Sequence, residues 1–100
     1  MTPQQVRESE WGQSAEMEFG LKEDFDVAVK AIASGKPVII TIWRHDEGGD
    51  INISQKESGD FIDEYWWKGD AFDEMRCVND AVKFCNEFGL DWTIERKEHE

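Results

Sequence analysis

The run Val38-Ile39-Ile40-Thr41-Ile42-Trp43 is β-branched at every position before its closing tryptophan. Branching at Cβ restricts χ1 and crowds the preceding turn of a helix, but packs well on a pleated surface. The run therefore reads as a strand, and its unbroken apolar character as a central strand with both faces covered. His45-Asp46-Glu47-Gly48-Gly49-Asp50 follows as a turn, with Gly-Gly available for positive φ. Ile51–Gln55 returns as a second strand with Ile51 and Ile53 on the core face. A turn at Ser58-Gly59 leads to a third strand, Phe61–Trp67. It is aromatic on both faces, with Phe61, Tyr65 and Trp67 opposed to Ile62 and Trp66. Successive strands joined by short turns imply an antiparallel meander.

Helical spacing appears on either side of this meander. Phe25, Ala28, Val29 and Ile32 form an apolar stripe over Phe25–Ser34, with Asp24 placed as a cap, Gly35 at C′ and Pro37 barring continuation. Phe72, Met75, Val78, Ala81, Val82, Cys85 and Phe88 form a wider stripe on a second helix. Asp70 can cap it, Gly89 can end it and Leu90 can close a Schellman contact. Ser14–Leu21 alternates, Ala15, Met17, Phe19 and Leu21 against Ser14, Glu16, Glu18 and Gly20, which predicts a half-buried strand. Trp92–Arg96 reads as a last strand with Trp92 and Ile94 inward. Thr2-Pro3-Gln4-Gln5 carries the signs of a capping box, so residues 1–13 form a short helix or an arm, and residues 97–100 a frayed tail.

The order β-α-β-β-β-α-β defines an α+β chain. The expected architecture is a two-layer sandwich, an antiparallel sheet of four to five strands with two helices on one face. With 100 residues, a single domain is expected over 1–100. Its core should comprise Met17, Phe19, Phe25, Val29, Ile32, Ile40, Ile42, Ile53, Phe61, Met75, Val78, Val82, Cys85 and Ile94.

Catalytic chemistry finds little support in the residues. His45 sits beside a turn and His99 is penultimate, and no motif sets a serine or cysteine nucleophile near either. Cys77 and Cys85 lie too far apart along one helix to pair, and read as small buried hydrophobes in a reducing, cytoplasmic setting. The Asp46–Asp50 segment is oxygen-rich, but it lacks the alternating ligands and distal Glu of a calcium loop, and no Cys/His spacing suggests zinc. Phosphate-cradling glycine motifs are missing. No enzyme activity, cofactor or metal site is therefore expected. Met1–Glu10 is polar throughout, so no signal peptide is expected, and no apolar run is long enough to span a membrane.

Charge is the informative property. There are 23 acids and 11 bases, a net charge of −12. Direct binding to nucleic acid or to an anionic membrane is disfavoured, and encounter with a basic protein is favoured. Residues 44–74 hold ten acids against Arg44, Lys56 and Lys68, and the same stretch holds Tyr65, Trp66 and Trp67. Aromatics beside acids are the composition of a hot spot for a basic partner. The candidate partner-binding residues are Asp46, Glu47, Asp60, Asp63, Glu64, Trp66, Trp67, Asp70, Asp73 and Glu74. Trp66 and Trp67 point to opposite faces, so one set alone faces a partner. Phe61, Tyr65 and Trp67 are the larger set to bury, which favours Glu64 and Trp66 outward. Acidity that only maintains solubility, with the outer aromatic covered by Trp11 or the N-terminal arm, remains the alternative.

Taken together, the amphipathic helix, the Val38–Gln55 hairpin with its Gly-Gly turn, Asp63-Glu64-Tyr65-Trp66-Trp67, the helix containing Asp80-Ala81-Val82-Lys83-Phe84, and Asp91-Trp92 resemble immunity proteins of bacterial polymorphic toxin systems. The group is often called immunity protein family one, and the resemblance covers residues 24–95. It implies a protein that binds and neutralises one cognate toxin, a nuclease or deaminase with a basic cleft. The size and charge are also similar to those of phage-encoded anti-CRISPR and anti-restriction inhibitors, some of which act as DNA mimics. A non-inhibitory accessory interaction protein is the third reading.

Overall fold

The computed structural model describes residues 1–69 and 71–98, Glu98 by its backbone alone. The chain is α+β. Its order is α1 (Pro3–Glu8), α2 (Glu10–Glu18), α3 (Lys22–Ala33), β1 (Val38–His45), β2 (Gly48–Gln55), β3 (Phe61–Lys68), α4 (Ala71–Glu87) and β4 (Trp92–Glu98). The strands form one sheet in the order β3-β2-β1-β4. The meander is antiparallel as expected, but β4 runs parallel to β1 along the far edge, so the sheet is mixed. The last strand also extends past Arg96, taking in Lys97, which was expected in a frayed tail.

The predicted strand over Ser14–Leu21 is instead mostly helix. Ser9 is extended and its Oγ accepts the Gly12 N–H, ending α1 and starting α2. The segment that follows is rich in Glu, Gln, Ala and Met and has no β-branched residue, so local propensity favours the helix. A helical spacing then sets Trp11 and Ala15 on one face, and Trp11 packs on Phe25, Phe84 and Phe88 with ring centroids 5.5–6.2 Å apart. The apparent alternation fails at Met17, which is 88% exposed. Gly12 permits this tight corner, since a Cβ there would meet the Val6 carbonyl oxygen at 2.3 Å. The predicted capping box of α1 is present, with Thr2 Oγ1 accepting from the Gln5 N–H and the Thr2 N–H donating to Gln5 Oε1.

Helix α3 begins before its predicted cap. Asp24 lies in the first turn, where its charge suits the helix N-terminus, rather than at the N-cap. Gly35 is left-handed at φ 68°, as the sequence requires. Helix α4 ends with the Leu90 N–H donating to the Cys85 carbonyl and Leu90 buried. Its first turn is rotated from the predicted stripe: Glu74 is buried, while Phe72 and Met75 face out, Met75 at 58% exposure. The offset continues along the helix, where Phe84, outside the predicted stripe, is buried while Val78 and Val82 are only partly so. At the first turn it places Glu74 against two arginines. Glu74 Oε1 accepts from Arg96 Nη1, and Arg44 Nε lies 3.5 Å from Glu74 Oε2. These contacts join the start of α4 to β1 and β4. The predicted capping residue Asp70 and His99 lie outside the described residues.

The core lies between the sheet and the helices, around Val29, Ile32, Val38, Ile40, Ile42, Ile51, Ile53, Ala81 and Cys85. Burial pushes the Cys85 thiol up to about 11. Phe61 and Ile94, both expected in the core, are 42% and 39% exposed because each sits on an edge strand. Phe19, Val78 and Val82 are partly buried against the core. The expectation that both faces of Val38–Trp43 are covered fails as well. Val38, Ile40 and Ile42 are buried, while Ile39, Thr41 and Trp43 are partly exposed on a face that no helix among the described residues covers. No described helix is long and apolar enough to cross a membrane.

Candidate functional site, an open aromatic sheet face

Strand register decides which side chains share the uncovered face. Trp43 pairs with Asp50, Asp50 with Trp66, and Trp43 with Lys97. One row across the sheet is therefore Trp66–Asp50–Trp43–Lys97, and the next is Glu64–Asn52–Thr41–Glu95. Trp66 is 69% exposed. Lys97 Nζ sits 5.2 Å from the Trp43 ring centroid, a cation–π contact, and 4.0 Å from Glu95 Oε1. His45 Nε2 lies 3.1 Å from Asp50 Oδ2 at the end of the same face. A shallow depression of about 220 Å³ lies between the hairpin tip and β3, lined by His45, Glu47, Asp50, Trp66 and Trp67 among others.

The two adjacent tryptophans divide as expected, but the apolar sets do not. Ile62, placed with Trp66, is fully buried and Phe61 is exposed, because a register shift opposite Ile53 and Ser54 breaks the alternation at the start of β3. Trp67 is 7% exposed on the helix side, where its indole lies over Gly49. A Cβ at Gly49 would stand 2.4 Å from the Trp67 ring and 2.3 Å from the Trp43 carbonyl oxygen. Gly49 thus serves by its missing side chain, and the turn itself is only Asp46-Glu47 between the paired His45 and Gly48.

The predicted acidic residues do not all share one surface. Glu64 is exposed beside Trp66, and Asp46 and Glu47 are exposed at the hairpin tip. Asp60 is exposed just before β3. Glu74 is withdrawn, because its carboxylate is buried between Arg44 and Arg96. Trp67 is withdrawn into the core. Asp73 is partly buried on the first turn of α4, and Asp70 lies outside the described residues.

Asp63 faces the helices, and Trp11 Nε1 donates to its Oδ2 at 2.9 Å. Burial holds this carboxyl above the usual carboxylate range and the Glu18 charge adds to the effect, while hydrogen bonds from Trp11 and the Glu64 N–H oppose it. A carboxyl raised on folding favours the native state at low pH and disfavours it once ionised. Asp63→Asn keeps an acceptor for Trp11 and is expected to raise the melting midpoint at pH 7. That gain should fade as pH falls from the raised native value of Asp63 toward 3.8, and be gone below 3.8, where both states are protonated. Thermal melts across this range check the sign.

Trp43, Asp50 and His45 were not among the residues singled out from sequence. Trp43 closes an apolar run that reads as a strand covered on both sides, which hides its exposure. Thr41, the one hydroxyl within an aliphatic run, marked its open face. Comparisons with protein-family models, curated proteins and solved structures returned no match.

Proposed function

We propose that the protein acts by binding, and that the open sheet face docks a basic protein partner and blocks it, in the manner of a toxin-neutralising immunity protein. The observation that supports this is Trp66, 69% exposed between Asp50 and Glu64 on a sheet face that no helix among the described residues covers. An exposed indole flanked by carboxylates suits a partner pocket that is apolar within and cationic at its rim. A mimic of a phosphate backbone would present an unbroken track of carboxylates. Here acids alternate with tryptophans, which favours recognition by a protein surface over occupation of a nucleic-acid channel.

Immobilised protein should retain such a partner from a lysate of the source cell, and Asp50→Lys with Glu64→Lys should weaken retention by about 2–5 kcal/mol if the pairs are desolvated. The association rate should fall steeply with ionic strength, the dissociation rate little. Growth rescue on co-expression with the retained protein would identify it as a toxin. Unchanged affinity in a double variant with a native melting curve would reduce these acids to a solvated surface and end this reading.

A further inference from the structure

Phe19, at the end of α2, and Phe61, at the start of β3, pack with ring centroids 6.1 Å apart. They form a wall with a groove on either side. One groove, of about 490 Å³, is lined by Phe19, Asp24, Val27, Asp60 and Phe61. The other, of about 290 Å³, is lined by Glu18, Phe19, Gly20, Phe61, Asp63 and Glu64. Neither lining includes a lysine, arginine or histidine. Among the described residues Glu18, Asp24, Asp60 and Glu64 form no ion pair, so their charge is not neutralised within the chain. Val27 and Phe61 remain 41% and 42% exposed on this wall.

We propose that this double groove docks a basic peptide segment that sets one apolar side chain against Phe61, between cationic residues that reach the carboxylates on either side. Complementarity selects this occupant. Apolar side chains alone would leave the carboxylates unmatched, and cations alone would leave Phe61 and Val27 in water. A guanidinium or ammonium can also lie over the Phe19 and Phe61 ring faces. The grooves lie along the edge of the sheet between β3 and helices α2 and α3; neither Trp43 nor Trp66 lines them, and Glu64 alone borders both surfaces. A next depression along α2 and α3 includes Arg7 and Lys22, which closes the acidic tract on that side.

The probe is a fluorescein-labelled peptide, Lys-Lys-Leu-Lys-Lys, titrated with the whole protein and read by anisotropy. Saturable binding is expected, and Asp24→Lys with Asp60→Lys should weaken it by about tenfold or more. Glu87→Lys with Asp91→Lys makes the same change to the net charge elsewhere and should stay within about twofold of wild type at physiological salt. Lys-Lys-Ser-Lys-Lys should bind about threefold or more weakly, for want of an apolar side chain. If the reversed pair does not fold, Asp24→Asn with Asp60→Asn reads the same effect at smaller size. The proposal is overturned by an absence of saturable binding, by equal loss in the control pair, or by equal affinity for the two peptides.

Discussion

Replacing Trp67 with alanine is expected to destabilise the protein by about 3–5 kcal/mol, while Trp66→Ala, one residue away, should change stability by no more than ~0.5 kcal/mol. The contrast follows from the pleat. Trp67 is buried against the helices and covers Gly49, so its removal opens a cavity that the paired backbone of Arg44 and Gly49 cannot close. Trp66 projects into water, and its removal leaves no cavity. Urea unfolding with an unchanged slope is the measurement. Equal losses at the two positions would place both indoles in packed surroundings and remove the open face from this account.

Removing both arginines around Glu74 is the second large effect. Arg44 and Arg96 keep most of their side-chain surface in water while their guanidinium groups reach a carboxylate that is 7% exposed. Arg44→Ala with Arg96→Ala leaves that carboxylate buried without a cation, and is expected to cost about 3–5 kcal/mol. Glu74→Leu lets both arginines return to solvent and fills the site with apolar atoms, so its cost should be about 1 kcal/mol or less. Chemical denaturation of the two variants gives the comparison directly. A larger loss for Glu74→Leu than for the double arginine variant would mean that Glu74 is not held by desolvation and pairing in this way.

Where hydrophobic period and turn chemistry agreed, the sequence was legible. Val38–Trp43, Ile51–Gln55 and Phe61–Trp67 form strands, Gly35 and Gly89 follow the ends of α3 and α4, and Thr2 caps α1. The failures came where tertiary contacts decided among local options. Ser14–Leu21 alternates in sequence, yet Ser9 capping and the aromatic cluster around Trp11 fix helix through Glu18. The apolar residues of α4 suggest one face, but the helix buries Glu74 beside two arginines from distant strands and Phe84 beyond the stripe, and leaves Phe72 and Met75 outward. Parallel addition of β4 beside β1 is a choice of topology that short-range pattern does not encode. At the candidate site the outward direction of Glu64 and Trp66 was readable from parity along β3. Their alignment with Asp50 and Trp43 depends on register between strands, and that register comes from the pairing of whole hairpins.

The central claim is that the open sheet face, and not the outer face of α4, meets the partner. Site-specific photocrosslinking tests it most directly. Benzoylphenylalanine is placed in turn at the position of Trp66 and at that of Lys83, an exposed residue on α4, and each protein is irradiated with the partner retained from the source cell. Covalent capture from position 66, with none from position 83, is the predicted result. Capture from position 83 and none from position 66 would contradict the account.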